Sequence, residues 1–138
     1  MDTTSFKALL HDRSLKATTS RLTLLQKLQD YETAMPYSSI QEAMAPIDRV
    51  TLYRTLESLQ KHGIIHKAFQ ENNETYYAIC GSECADHHHH DNHIHFKCTE
   101  CDAVTCEQPV QPIKISMPDY DIHSVSVHVQ GVCQACRG

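Results

Sequence analysis

Two Cys-x-x-Cys pairs in the second half of the chain constrain its fold more than any other feature. They are Cys98-Thr99-Glu100-Cys101 and Cys133-Gln134-Ala135-Cys136. Thiolates at this spacing on a tight turn can point at one ion, and two such turns complete a closed tetrahedral zinc site. A redox pair of the thioredoxin type would instead need one such motif beside a βαβ pattern, which this sequence lacks. We therefore predict one structural zinc ion per chain, held by Cys98, Cys101, Cys133 and Cys136.

The spacing between the two pairs predicts a small metal-stapled subdomain. The 31 residues that separate them exceed the roughly 15–20 of a simple zinc ribbon. Alternating residues over 122–129 predict a strand with Val125, Val127 and Val129 on one face. Prolines interrupt the segment from Cys106 to Tyr120, so a long helix is not expected there. These patterns predict a small, mainly antiparallel β domain in the second half.

Charge and ligand-type side chains divide the chain into two unlike halves. Residues 1–70 contain nine Lys/Arg and seven Asp/Glu, whereas residues 71–138 contain three and ten. All seven cysteines and eight of the eleven histidines follow residue 70. A mildly basic, cysteine-free half followed by an acidic, ligand-rich half predicts two domains, 1–79 and 80–138.

The expected location is the cytoplasm, and no membrane partner is expected. The first residues lack the basic and then apolar pattern of a signal peptide, and no apolar run approaches the ~18 residues of a membrane helix. Thiols stay reduced in the cytoplasm, which favours metal binding by the cysteines over disulfides.

The first half contains the capping and turn residues expected of several helices followed by a hairpin. The last predicted helix, residues 49–62, begins after Asp48 and turns Leu52, Leu56 and Leu59 to a core at spacing i, i+4, i+7. Strand-like runs follow, separated by two asparagines that suit a turn. Three or four helices and then a two-stranded hairpin is the order of a winged helix-turn-helix domain. The predicted fold class is therefore α+β.

The predicted last helix is a candidate for DNA recognition, because the second helix of such a motif enters the major groove. Its candidate contacts are Arg49, Thr51, Tyr53 and Arg54, all away from the leucine face. Arginine can pair with guanine or phosphate, and tyrosine can meet a thymine methyl group or a phosphate oxygen. The alternative is an ordinary solvated helix face with one half-buried tyrosine, and periodicity alone leaves both open.

Further metal-type side chains lie between the hairpin and the first cysteine pair. His93 and His95 share a face if the chain is extended, so both imidazoles can reach one metal. The alternative is a pair of exposed strand histidines. The His-rich run 87–90 is interpreted as a solvated loop that binds metal weakly. Cys106 is interpreted as a small apolar filler and Cys84 as an exposed thiol.

Motifs spread from Lys16 to Cys136 share one known pattern. They are Lys16-x-Thr18-x-x-Arg21, Thr51-Leu52-Tyr53-Arg54-Thr55-Leu56, Gly63-Ile64-Ile65, Tyr77, His93-x-His95-x-x-Cys98-x-x-Cys101 and Gly131-x-Cys133-x-x-Cys136. In this order they resemble the ferric uptake regulator family of bacterial metal-responsive repressors. The resemblance implies a homodimer with an N-terminal winged helix and a C-terminal dimerisation domain, which binds a palindromic operator in double-stranded DNA. It also implies base contact by Tyr53 and backbone or groove contacts by Lys16, Arg21 and Arg54.

One departure from the iron-type members points to a branch of that family. Ala78 stands where they carry a sensor glutamate, and Cys80 follows shortly after. A cysteine at that point, with a ligand side chain on the first wing strand, is similar to the zinc uptake regulator branch. The implied regulatory site holds one zinc ion per chain on His66, Cys80, His93 and His95.

The leading functional hypothesis is a zinc-responsive transcriptional repressor. Alternatives in the same family are regulators that respond to iron, manganese or peroxide. A zinc-buffering protein is an alternative from another class, supported only by the His-rich loop and opposed by the recognition-helix pattern. An enzyme is not expected, nor a small-molecule substrate, because no nucleophilic triad is evident and the paired H-x-E and P-C-x-x-C motifs of base deaminases are absent.

Overall fold

The computed structural model describes residues 2–79, 94–107, 109–111, 113–123, 125 and 127–138. Five helices and six strands lie within these ranges. In chain order they are α1 (Thr3–Asp12), α2 (Thr19–Tyr31), β1 (Met35–Pro36), α3 (Tyr37–Ala43), α4 (Arg49–Lys61), β2 (Ile65–Glu71), β3 (Glu74–Ile79), β4 (Ile94–Cys98), β5 (Val104–Glu107), β6 (Val127–Gly131) and α5 (Gln134–Arg137). Among these helices, none has both the length and the apolar character needed to span a bilayer.

The first four helices and the first sheet form the predicted winged helix. Side-chain oxygens of Asp2, Thr18 and Asp48 accept hydrogen bonds from the first turns of α1, α2 and α4, so each of these helices has an N-terminal cap. The leucines predicted to face inward on α4 are buried in one core with residues of the other helices and the wing. They are Leu52, Leu56 and Leu59. The prediction of a helix over residues 49–62 with its leucines facing a core is therefore confirmed, with the helix ending one residue earlier, at Lys61.

The wing is a β-hairpin with a two-residue turn, and a third strand extends its sheet. Asn72 and Asn73 both have positive φ angles, 53° and 65°, which suits the tight turn between antiparallel strands. Met35 and Pro36 add a short strand on the other side of β3, giving the order β1-β3-β2. The sequence did not signal this strand. Proline is tolerated there because β1 lies at the edge of the sheet.

The second sheet has the order β5-β4-β6, and its last strand differs from the prediction. β4 and β5 are antiparallel, as expected, but β6 runs parallel to β4. The strand is also shorter than the alternation suggested, because Ile122, His123 and Val125 lie outside it. The parallel register aligns Cys98 with Gly131, so both strands end at the same edge. Each strand therefore delivers its cysteine pair to one place.

The two sheets meet through a small buried cluster. Its members come from the first half and from β5, and they are Ala34, Ala68, Phe69 and Val104. The backbone N–H of Ala34 donates to the carbonyl oxygen of Val104 at 2.7 Å. An ion pair between Lys97 and Glu71 flanks the cluster. The wing and the second sheet are thus in direct contact through apolar, backbone and charged groups.

Candidate metal centres and nucleic-acid interface

The four cysteines of the two pairs come together at the end of the second sheet. One sulfur from each of Cys98, Cys101, Cys133 and Cys136 lies within 4.8 Å of every other. The first pair spans the turn after β4, and the second spans the start of α5. Backbone N–H groups of Glu100 and Cys133 both donate to the Cys98 sulfur at 3.4 Å. This geometry matches the donor set of a structural zinc site.

The pKa values of two of these thiols are shifted in opposite directions. Hydrogen bonds, led by that from the Cys133 backbone, lower the pKa of Cys98 to about 6. Interaction with the neighbouring sulfurs, led by Cys133, raises the pKa of Cys136 to about 12. One thiol of the cluster thus ionises readily, whereas another is kept protonated mainly by its hydrogen bonds to neighbouring sulfurs. A divalent cation would favour the thiolate form of all four, because its charge offsets that of the sulfurs.

A second group of metal-type side chains lies where the wing meets the second sheet. It consists of His66 on β2, His95 on β4 and Cys106 on β5, with one potential ligand atom of each within 4.8 Å of the other two. Nε2 of His66 is 3.0 Å from Sγ of Cys106, and the two imidazole rings stack at 5.6 Å between centroids. His66 is only 3% exposed. Two imidazoles and a thiol here form a candidate second metal centre, called the wing cluster below.

Half of the predicted regulatory set belongs to this wing cluster. His66 and His95 are brought together, whereas Cys80 and His93 lie outside the described residues. Sequence reasoning interpreted Cys106 as apolar filler, and its side chain does pack against the buried cluster that contains Val104. That reasoning did not anticipate that Cys106 also lies beside His66 and His95. The sequence did contain a signal for Cys106. If β4 and β5 form a hairpin, Cys106 lies directly opposite His95, and the structure shows the two as cross-strand partners.

The predicted DNA-contacting side chains fall into two groups. Arg49, Tyr53 and Arg54 on α4, with Lys16 before α2, are exposed to solvent. Tyr53 is 60% exposed although it is a large aromatic side chain.

Arg21 and Thr51, by contrast, already make internal hydrogen bonds. The Arg21 guanidinium donates to the Lys16 carbonyl oxygen at 2.8 Å and to the Ser58 hydroxyl at 3.2 Å. The Thr51 hydroxyl donates to the Asp48 carboxylate at 2.8 Å. These two residues therefore hold the start of α2 and the first turn of α4 in place.

Comparison with known proteins agrees with this architecture. The model of the ferric uptake regulator family matches residues 12–130. A ferric uptake regulation protein of Staphylococcus aureus is 30% identical over 143 residues, covering 99% of each chain. Among solved structures, a zinc uptake regulator complexed with zinc and DNA superposes with a TM-score of 0.66 at 19% identity, covering 98% of this chain and 92% of that one. The Helicobacter pylori ferric uptake regulator gives 0.59 at 16% identity, covering 100% and 95%.

A winged helix joined to a small sheet, with a four-cysteine cluster at the end of that sheet, defines a metal-binding, DNA-binding transcription regulator. The family match extends over most of the chain, and the S. aureus relative is matched from end to end. The chain belongs to the ferric uptake regulator family, and it is a metal-responsive transcription regulator of that family. Its structural neighbours include both ferric and zinc uptake regulators.

Proposed function

We propose that this protein is a zinc-responsive transcriptional repressor that binds palindromic operator DNA as a homodimer. The observation that carries the proposal is the wing cluster, because its donors lie on both sides of the contact between the winged helix and the second sheet. A metal ion there would tie the wing to the sheet. Its binding free energy would then bias the orientation of the recognition helix, which is what a corepressor must supply.

The proposed regulatory zinc is held by His66, Cys80, His93 and His95, one ion per chain. Neutral imidazoles and a thiolate suit zinc better than manganese or iron(II), for which carboxylate and water ligands are more usual. The proximity of His66 and His95 supports this set. An iron-, manganese- or peroxide-responsive regulator would be expected to present carboxylates at the same place. Glu107 is exposed next to Cys106, and no carboxylate belongs to the wing cluster as described.

The proposed structural zinc, also one per chain, holds together the second domain, residues 80–138, which would form the dimer. Its binding energy is also folding energy for a small sheet with little buried apolar surface. The exposed apolar side chains in this part of the chain, such as Val110 and Tyr120, are consistent with a surface that a second copy covers. A cytoplasmic location completes the proposal, because the thiolate ligands of both centres need reduced cysteines.

The proposed DNA interface is the exposed surface of α4. Tyr53 would contact a base, Arg49 and Arg54 bases or phosphates, and Lys16 the backbone. The internal bonds of Arg21 and Thr51 suggest that they contribute by orienting α4, together with any phosphate contact they make. The first half has only a small excess of basic residues, so binding should depend on salt to a moderate degree.

The test is to measure metal content and DNA binding together. Purified protein is analysed for bound elements, the loosely held metal is removed with a mild chelator, and each of Zn2+, Fe2+ and Mn2+ is then restored. DNA fragments enriched from random sequence by the zinc form serve as the operator. We expect one tightly held zinc per chain, a second zinc that is removable, and operator binding only with the second zinc. Operator binding by the chelated form, or preferential activation by Fe2+ or Mn2+, would contradict the proposal.

A further inference from the structure

We propose that Cys106 is a thiolate ligand of the regulatory metal, with His66 and His95 as its imidazole ligands. This inference rests on the proposed function and adds to it a residue that the sequence had not nominated. The three side chains come from three different strands, β2, β4 and β5. The second sheet itself, and not only the segment that joins it to the wing, would therefore supply the metal-binding sulfur.

The spacing of the three donor atoms suits one tetrahedral ion. Zinc bonds of about 2.0–2.3 Å place neighbouring ligand atoms roughly 3.3–3.8 Å apart. The Nε2 atom of His66 and the sulfur of Cys106 lie 3.0 Å apart, and all three donors lie within 4.8 Å of one another. Side-chain movements of about an ångström at the donor atoms would bring the set to coordination distances.

The backbone pairing holds two of the three ligands in fixed positions. His95 and Cys106 are direct cross-strand partners on antiparallel strands, so their side chains project from the same face of the sheet. The same hairpin closes at Cys98, whose N–H donates to the carbonyl oxygen of Ala103 at 2.9 Å. Because the four-cysteine cluster is built on that turn, a metal ion bound there would help to hold the register that aligns His95 with Cys106.

His66 connects this aligned pair to the winged helix. It is buried on β2, where it pairs with Ala78 of β3, and its ring stacks on His95. Three ligands leave one tetrahedral position, so only one of the two further ligands in the proposed function, Cys80 and His93, can complete the set. A site with a sulfur from Cys106 selects borderline-soft ions such as Zn2+ over Mn2+. The position of Cys106 thus helps to set which metal the protein senses.

The experiment uses full-length protein that retains its structural zinc and is titrated with Co2+ as a spectroscopic probe. Cys106→Ser is compared with wild type and with Cys84→Ser, which removes a thiol that has no assigned role. We expect the thiolate-to-cobalt absorption of Cys106→Ser to fall by roughly half or more, and Co2+ to bind at least about tenfold more weakly. Cys84→Ser should behave as wild type. Retention of the structural zinc will report that each variant is folded.

A second measurement needs no substitution. Wild-type protein is alkylated with iodoacetamide before and after the second equivalent of zinc, and the peptide containing Cys106 is quantified by mass spectrometry. We expect zinc to protect Cys106. An unchanged cobalt spectrum in folded Cys106→Ser, or alkylation of Cys106 that zinc does not slow, would overturn the assignment.

These outcomes are separable from those of the proposed function. Zinc-dependent operator binding by wild type, together with an unchanged cobalt spectrum in Cys106→Ser, would leave the repressor intact and remove Cys106 from its site. If Cys106→Ser loses the cobalt absorption but wild type shows no metal-dependent operator binding, Cys106 is a metal ligand and the proposed repressor function is wrong.

Discussion

The sulfur of Cys106 lies 3.0 Å from Nε2 of His66, a residue 40 positions earlier in the chain. His66 belongs to the wing strand β2, and Cys106 belongs to β5 of the second sheet. A bound ion shared by these two residues would connect the DNA-binding part of the molecule to the part that carries the structural metal. Metal binding at this contact would therefore act directly on the wing.

Replacing Tyr53 with alanine should reduce discrimination between operator and random DNA more than it reduces zinc content. Tyr53 is exposed on the recognition helix, and one lost base contact should reduce discrimination by about 1–3 kcal/mol. Competition binding with operator and random duplexes measures the effect. Tyr31→Ala, at an exposed tyrosine near the end of α2, is the matched control. Intact operator preference in Tyr53→Ala would mean that the recognition surface is wrongly placed.

Replacing Cys101 with serine should release the structural zinc and leave the second half unfolded or monomeric. Four sulfurs close the site, and a small sheet depends on the metal for much of its folding energy. Elemental analysis and sedimentation measure the two effects, with Cys84→Ser as the control. A folded, dimeric Cys101→Ser protein that still binds operator when metal is added would rule out the structural assignment.

Replacing Cys80 with serine should separate sensing from structure. The variant should keep the four-sulfur zinc and the dimer, yet lose zinc-dependent operator binding, because the regulatory ion loses one ligand. Gel-shift titration with zinc, alongside metal analysis, tests this. Unchanged zinc-dependent binding would shift the sensor to other ligands, with the His-rich run 87–90 as the first candidate.

Zinc binding to the four-sulfur cluster should become more steeply dependent on pH below about 6. Zinc requires thiolates, so protons compete with it, and the affinity falls as the pH falls. Because the pKa of Cys98 is lowered to about 6, this thiol adds no proton competition well above that value and one further proton below it. Chelator competition across pH 5–8 measures the slope, which should increase by about one proton per zinc. A constant slope through this range would contradict the shift.

Shortening Val104 to alanine should loosen the contact between the wing and the second sheet. Val104 is fully buried in the cluster with Ala34, Ala68 and Phe69, so loss of its two methyl groups should cost about 2 kcal/mol of stability. Val110→Ala is the control, since that side chain is fully exposed. Chemical unfolding of the zinc-loaded protein should separate the two variants. Equal stabilities would show that the cluster adds little to the contact.

Elements whose signals are local could be predicted from the order of the residues alone. The leucine spacing, the Asp48 cap and the paired asparagines specified α4 and the wing hairpin, and the structure has them nearly where predicted. The two Cys-x-x-Cys motifs likewise determined the four-sulfur cluster, since ligand type and spacing within each turn suffice for it. Each of these features depends on residues that are close in the chain or on chemistry that few residue types can perform.

The way in which distant parts of the chain combine could not be predicted from local signals. The parallel pairing of β6, the short strand β1 and the meeting of His66 with Cys106 all depend on strand partners far away in the sequence. An alternating pattern tells which face of a strand is buried but not which strand lies beside it. Cys106 therefore looked like apolar filler in the sequence. Its place beside His66 and His95 became visible only once β5 paired with β4 and the wing packed against them, because these distant pairings bring the three side chains within 4.8 Å of one another.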